Sequence, residues 1–574
     1  MSTPESKFAE AAAAFPETSP NGRARRAALE GKGAAERRAT SLVPFASAGR
    51  VAVIGHPSDA LPAAERLAEM LECTAVLTAE AAAPPGDVQP SGAETKAGKV
   101  RTIEARVSDV RGHLGAFEID VTADGETRPL APSLLTAHRP FDIVLDLGAT
   151  PFVRAEVKPP GYFAPQREAG ALESALEQIP DLIGEFEKPR YFHYDAGICA
   201  HGRSGIIGCT RCLDACPTDA IKSLKDLIEV DPYLCQGAGT CATACPTGAI
   251  TYVYPNVPDL LTELRHMLAA YREAGGSAPC VLFHDGEAGR DWLEANAGRL
   301  PENLIPFELE EIGSVGMDTW LAAIAYGVRQ VVLLCPQAVP QSVRAETAHQ
   351  LEIARRILEG MGYAQTLIAC VDPEDEGWMS AVPASEDSDF AAAAFAGVAE
   401  KRTTLRLAVD HLHAKATSAK PAIDLPARSP FGQIHVDPRA CTLCMACVSV
   451  CPASALADGG DQPKLKFIEW NCVQCGLCET ACPEDAITLA PRFLFDSQAR
   501  QSSRVLNEDE PFHCISCGKA FATTRVIERM HEKLAGHWMF QKPEAARRLE
   551  MCEDCRVKDM LEDGGGLLDV RDEP

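Results

Sequence analysis

The sequence predicts a multidomain protein of α/β plus α+β class. It has two cysteine-rich double modules, two α/β segments and a separate C-terminal module with four cysteines. Three observations carry this reading. At 574 residues the chain is long enough for three or four domains of roughly 150 residues each. Nineteen of its 23 cysteines fall in short-spaced clusters, while Cys73, Cys280, Cys335 and Cys370 stand isolated. Between the clusters, apolar runs and helical periodicity alternate in β-α-β order.

Composition narrows the function. With 46% apolar and 24% charged residues the chain is ordinary globular material. A net charge of −26 argues against nucleic acid as the main partner, because phosphate binding needs clustered Lys and Arg. It suits docking onto basic patches of other proteins. No run of about 18 apolar residues occurs, so no membrane span is expected. Arg25-Arg26 and Arg37-Arg38 are not followed by an apolar stretch, so no export signal is expected either. Clustered cysteines in such a chain read as metal or iron–sulfur ligands in a reducing cytoplasm.

Along the chain, residues 1–45 lack a periodic apolar face and read as a mobile tail. An α/β domain spans 46–190, with strands at Arg50–Gly55, Thr74–Leu77 and Phe141–Leu147 and a helix through Leu61, Leu67, Met70 and Leu71. The turn after Ile54 is Gly-His-Pro-Ser-Asp, not a glycine-rich phosphate loop, so a structural domain is favoured over a nucleotide site. The first cysteine module occupies 191–255. A second α/β domain over 256–372 has strands at Val281–His284 and Val331–Leu334 and a helix over Thr319–Tyr326. Residues 373–430 read as linkers flanking a helix from about 389 to 413. The second cysteine module spans 431–495, and a four-cysteine module occupies 505–574.

Four segments end in Cys-x3-Cys-Pro followed by a small apolar tail, which is an internal repeat of two pairs. The pair at 441–483 holds Cys441-x2-Cys444-x2-Cys447-x3-Cys451-Pro and Cys472-x2-Cys475-x2-Cys478-x3-Cys482-Pro. Such spacing wraps three thiolates around one face of a cubane, and the fourth cysteine of each run serves the other cluster. Cys441, Cys444, Cys447 and Cys482 then hold one [4Fe–4S] cluster, and Cys472, Cys475, Cys478 and Cys451 the second. This region resembles a bacterial two-cluster ferredoxin in full.

The pair at 199–246 is a variant. Cys209-x2-Cys212-x3-Cys216-Pro has Cys199 ten positions upstream. Its partner is Cys235-x5-Cys241-x3-Cys245-Pro, with Ala238 in the slot of a missing cysteine. On the ferredoxin pattern one cluster uses Cys199, Cys209, Cys212 and Cys245, leaving Cys216, Cys235 and Cys241 for the other. Resemblance to ferredoxins with the same loss implies a [3Fe–4S] cluster there. Two other readings stay open: a [4Fe–4S] cluster completed by water, His193 or His201, and a different assignment in which Cys199 serves the second cluster.

Cys514-x2-Cys517 and Cys552-x2-Cys555 form two knuckles that complete a tetrahedron with no open position, which favours a structural Zn²⁺. A rubredoxin-like iron or a fifth iron–sulfur cluster are the alternatives. From Pro511 to Lys558 nine basic residues face six acidic ones, too weak a footprint for nucleic acid.

Two further resemblances add to this. Ile312-Gly313-Ser314-Val315-Gly316-Met317-Asp318, followed by Trp320 to Gly327, resembles the small iron–sulfur subunit found with methyl-viologen-reducing hydrogenases and heterodisulfide reductases. This chain has no cysteine between Cys280 and Cys335 for that family's [2Fe–2S] cluster. The stretch Glu187–Tyr194, with Cys199-Ala200-His201 and Gly208 to Asp214, resembles bacterial cytoplasmic 4Fe–4S binding proteins. The resemblance spans about residues 45–560 and implies association with formate dehydrogenase or other molybdoenzyme systems.

The expected function is a polyferredoxin-like electron relay between cytoplasmic redox partners, a dehydrogenase or hydrogenase, through about four clusters. No catalytic residue is assigned, and an enzyme is the less favoured class. Two alternatives are a flavin- or nicotinamide-binding oxidoreductase subunit and a redox-sensing or maturation factor.

Overall fold

The computed structural model describes residues 15–31, 41–78, 100–123, 126–130, 140–165, 170–375, 377–382, 392–460, 462–541 and 543–562. The first described element corrects the expected tail. Pro20–Glu30 form helix α1, with Ser19 as N-cap and Pro20 in the first turn. Its buried face is Ala24, Ala28 and Leu29, packed on helix Val257–Glu273. Arg25 is fully buried and donates to Pro16 O and Pro301 O, both at 2.9 Å. A face built on two alanines and an arginine carries no apolar stripe in the sequence.

The N-terminal α/β segment runs β1 (Arg50–Gly55), α2 (Pro57–Leu67), β2 (Glu72–Leu77), β3 (Val100–Glu104), β4 (Ile143–Asp146) and β5 (Tyr162–Phe163). The strands form a parallel sheet in the order β3-β2-β1-β4-β5. Val51, Ala52, Val53 and Ile54 are wholly buried, as a parallel strand covered on both faces requires. One cover is a small antiparallel sheet of Arg106–Arg111, Glu118–Ala123 and Glu126–Pro129. At the turn after β1, His56 Nδ1 caps α2 by accepting from Ser58 N at 3.3 Å.

The second α/β segment begins with α3 (Val257–Glu273), capped by Asn256 accepting from Asp259 N. Strands β6 (Cys280–Asp285) and β7 (Leu304–Leu309), helix α4 (Met317–Ala325), β8 (Gln330–Leu334), α5 (Gln341–Gly360) and β9 (Ile368–Val371) follow. The sheet is parallel in the order β7-β6-β8-β9. Every residue of α4 is buried, and α6 (Lys401–Lys415) lies against it. The helix expected from about 389 therefore starts at Lys401. Glu400 caps it by accepting from Arg402 N, while 392–400 carry no helix and 383–391 lie outside the described residues.

The two cysteine modules share a plan. The first pairs Phe192–Tyr194 with Ile250–Tyr252 and carries the hairpin Ile221–Leu224/Leu227–Val230. The second pairs Gly432–Val436 with Ile487–Leu494 and carries Leu456–Gly459/Gln462–Phe467. Phe431, Phe493 and Phe495 of the second module join the core of the second α/β segment, so these two regions share one hydrophobic core. The C-terminal module is a hairpin, Pro511–His513/Ala520–Thr523, followed by α7 (Thr524–Leu534) and α8 (Glu553–Glu562).

Candidate metal centres

The cysteine loops have the backbone that an anionic cluster needs. Leu443 and Met445 in the loop of Cys441–Cys447 have positive φ, as do Gln474 and Gly476 in that of Cys472–Cys478, and Gly237 and Gly239 in that of Cys235–Cys241. Alternating left-handed residues turn successive N–H groups inward, making a concave nest for negative charge. Other N–H groups meet sulfur: Ala455 N donates to Cys451 Sγ and Ala486 N to Cys482 Sγ, both at 3.3 Å, and the side-chain Nε2 of Gln474 donates to Cys472 Sγ at 3.2 Å. Thr218 and Thr247 hydroxyls lie 3.4 and 3.6 Å from Cys216 and Cys245 Sγ.

Burial disfavours uncompensated thiolates in these loops. Desolvation pushes Cys447 and Cys475 up to about 12, with neighbouring cysteines adding to the rise. Cys212, Cys241 and Cys478 are raised by the same cause. A bound cation or cluster is what converts such thiols to thiolates. The residues present fit iron–sulfur groups.

The fold gathers the cysteines into four sets. Around Cys212 stand Cys245, Cys209 and Cys199. Around Cys241 stand Cys235 and Cys216 first, with Cys212 and Cys245 beyond. Cys447 has Cys441, Cys444 and Cys482, and Cys478 has Cys472, Cys475 and Cys451, with Cys447 beyond. Cys475 in turn lies within electrostatic range of Cys209 in the other module. The sets thus neighbour one another in the order Cys216/235/241, Cys199/209/212/245, Cys451/472/475/478, Cys441/444/447/482. Gly208 lets the two modules approach, since a Cβ there would lie 2.7 Å from Leu477 Cγ and 3.0 Å from Cys475 O.

At the loop that lacks a cysteine, Ala238 is flanked by buried Gly237 and Gly239. The Gly313–Ser314 turn of the second α/β segment closes over it. A Cβ on Gly313 would stand 2.5 Å from Ala238 O, and one on Gly239 would stand 2.8 Å from Ser314 N. Neither histidine considered in the sequence is offered to this loop. His201 is buried with Nδ1 bonded to Cys209 O at 2.9 Å and Nε2 to Ser223 Oγ at 2.7 Å. His193 is exposed on the strand paired with Ile250–Tyr252.

In the C-terminal module, Cys514, Cys517, Cys552 and Cys555 bring their sulfurs within 4.8 Å of one another, with Cys517 and Cys552 Sγ 3.7 Å apart. A metal–sulfur bond of about 2.3 Å gives a tetrahedral edge of about 3.8 Å. The set therefore fits one ion at its centre. His513 points its Nδ1 at Gly518 O, 3.0 Å away. The module sits on the last cysteine set: Thr523 Oγ1 donates to Thr442 O at 3.4 Å, and Arg525 donates to Pro438 O.

One pair escaped the sequence. Cys335 follows β8 and Cys370 lies in β9. The adjacent parallel strands bring the two thiols within interacting range, with Arg355 favouring the thiolate of Cys370. Only strand order places them together. Buried Cys280 and Cys73 take no part in any set.

Residues 433–487 and 207–249 each match a 4Fe-4S dicluster domain. Among curated proteins, an NADH-quinone oxidoreductase subunit of Geobacter metallireducens is 28% identical over 111 residues, 17% of this chain and 85% of its own length. A probable iron-sulfur subunit encoded in the Frd operon of Proteus vulgaris is 35% identical over 96 residues, 16% of this chain and 59% of that protein. A component of the ion-translocating oxidoreductase complex of Methanosarcina acetivorans is 41% identical over 46 residues, 8% of this chain and 17% of its own length. The chain thus contains two 4Fe-4S dicluster ferredoxin domains within a larger α/β framework, and its role is iron–sulfur electron transfer. Among the described residues no helix is long and apolar enough to cross a membrane.

Proposed function

We propose that the chain is a multi-cluster electron relay joining redox partner proteins in the cytoplasm. The observation that carries this is the neighbour order of the four cysteine sets, with Cys475 of one module within electrostatic range of Cys209 of the other. When bound, iron–sulfur clusters supply one-electron exchange at potentials set by the surrounding charge and hydrogen bonds. In this reading Cys199, Cys209, Cys212 and Cys245 hold a [4Fe–4S] cluster. So do Cys451, Cys472, Cys475 and Cys478, and likewise Cys441, Cys444, Cys447 and Cys482. Cys216, Cys235 and Cys241 hold a [3Fe–4S] cluster, a reading supported by the closed turn at Gly313–Ser314 and by the engaged ring of His201. Cys514, Cys517, Cys552 and Cys555 hold a zinc ion, supported by the 3.7 Å sulfur spacing. In this reading the chain divides into the seven segments expected from the sequence, with α1 formed within the first of them.

Two of the matched relatives are named as oxidoreductase subunits or components and the third as a probable iron-sulfur subunit, which supports a dehydrogenase or hydrogenase as partner, a formate dehydrogenase among them. The net charge of −26 favours a basic docking patch on that partner. Anaerobic purification followed by iron, sulfide and zinc analysis and an EPR-monitored redox titration tests the reading. Four reducible clusters and one zinc are expected, one cluster giving a three-iron signal when oxidised. Two clusters, or none that reduces reversibly, would end it. Co-purification from the native cell then identifies the partner.

A further inference from the structure

The N-terminus of α6 places two cations at the seam between the cysteine modules. Lys401 Nζ donates to Ala242 O at 3.1 Å, to Thr243 O, and to Cys245 O at 3.3 Å. Arg402 reaches both modules. Its Nη1 meets Pro246 O at 3.4 Å and Pro430 O at 3.2 Å, and its Nη2 meets Trp470 O and, at 3.5 Å, Cys472 O. The guanidinium is stacked on Trp470 at 4.8 Å and Phe431 at 5.3 Å. Arg211, between Cys209 and Cys212, is buried beside them and lines the same small cavity. Among the described residues none of these three cations forms an ion pair with a carboxylate; the nearest carboxylate charges are Glu346 and Glu400. Lys401 and Arg402, partly buried and held by backbone carbonyls and aromatic faces, need an anion close by. The candidates at this seam are the two inner cysteine sets, whose members Cys245 and Cys472 the cations already touch.

We propose that Lys401 and Arg402 are positioning residues that clamp the two inner cysteine sets together and raise the reduction potentials of the groups bound there. The inference rests on the four-cluster reading above. Positive charge beside a cluster favours its more negative, reduced form, and the clamp keeps the Cys209 and Cys475 sets adjacent, where tunnelling between modules is fastest.

The test uses the full-length protein carrying Arg402→Gln, Arg402→Lys or Lys401→Met, with Lys188→Met as control. Lys188 donates to Cys235 O at 2.7 Å, at the far end of that order. Iron content, an EPR-monitored redox titration and the magnetic interaction between clusters are read in each. The Gln and Met variants are expected to retain iron and lower the potentials of two of the four clusters. The expected change is at least tenfold in the reduction equilibrium, about 59 mV for one electron. Arg402→Lys should recover most of it, and Lys188→Met should leave that pair unmoved. Unchanged potentials with full iron would overturn the proposal, as would an equal shift of all four clusters. Loss of iron from both charge-removing variants would mark a purely structural clamp and overturn it too. A wild-type protein without four reducible clusters would instead defeat the relay reading.

Discussion

Asp142 shows how a single carboxylate ties the N-terminal segment together. It is almost wholly buried, accepts Arg50 Nε at 3.0 Å and Nη2 at 2.6 Å, and also accepts the backbone N–H groups of Ala48 and Arg50. Asp142→Ala would leave a part-buried guanidinium and two amides without their acceptor. A loss of about 3–5 kcal/mol in chemical denaturation is expected; a change under about 1 kcal/mol would mean that water replaces the carboxylate. Glu311 gives a pH test. Burial, then the charges of Asp285, Glu287 and Glu310, raise it to about 7. The native state therefore holds a proton that the unfolded chain has released. Stability should fall as pH rises from about 4.5 to 7, by roughly 3 kcal/mol, and level off above. Glu311→Gln should abolish that slope, and an unchanged slope would assign it to another group. At this scale the cysteines were legible because ligation chemistry is written in local spacing. Arg402 was not, because its acceptors are backbone carbonyls from residues 246, 430, 470 and 472, which no local pattern records.

At the scale of elements, apolar runs such as Val51–Ile54 and Val331–Leu334 announced their strands because parallel strands are buried on both faces. Helix α1 stayed hidden because its packed face is mostly alanine. The start of α6 was misplaced because the alanine-rich run before it has helical propensity, whereas Ala393 N bonds to Ala325 O and Ala393 and Phe395 pack against the core without forming a helix. The C-terminal module shows the limit of such packing. Its core is Cys514, Met551 and Cys552, with only Phe521 and Cys555 against them. A core that small needs a staple, so on the zinc reading proposed above a bound ion supplies its folding energy. A zinc chelator should remove one metal per chain and open α7 and α8 to limited proteolysis, while the iron-dependent absorbance persists. Cys552→Ser should do the same without chelator. Protease resistance unaffected by either treatment would show that the module stands without its metal.

Across the whole molecule, the two dicluster domains could have been joined by a free linker, and the sequence between 373 and 430 reads that way. Instead α6 fills the seam, and Arg428 pairs with Asp214 across it at 2.5 Å. Fixed geometry matters because tunnelling between centres weakens exponentially with their separation, so a module swinging on a linker would couple only intermittently. Gly208 is the point where this can be tested without touching a charge. A valine there would drive its methyl groups into Leu477 and the Cys475 carbonyl, and since the latter is backbone, the modules must part or the Cys209 loop must shift. Gly208→Val should therefore keep its iron but lose magnetic interaction between the inner pair of clusters, with slower re-equilibration after rapid partial reduction. Gly298→Ala, whose added methyl meets nothing within 4 Å, should match the wild type. If Gly208→Val retains both the coupling and the rate, the contact between modules is incidental, and the two domains must be served by separate partners rather than forming one path.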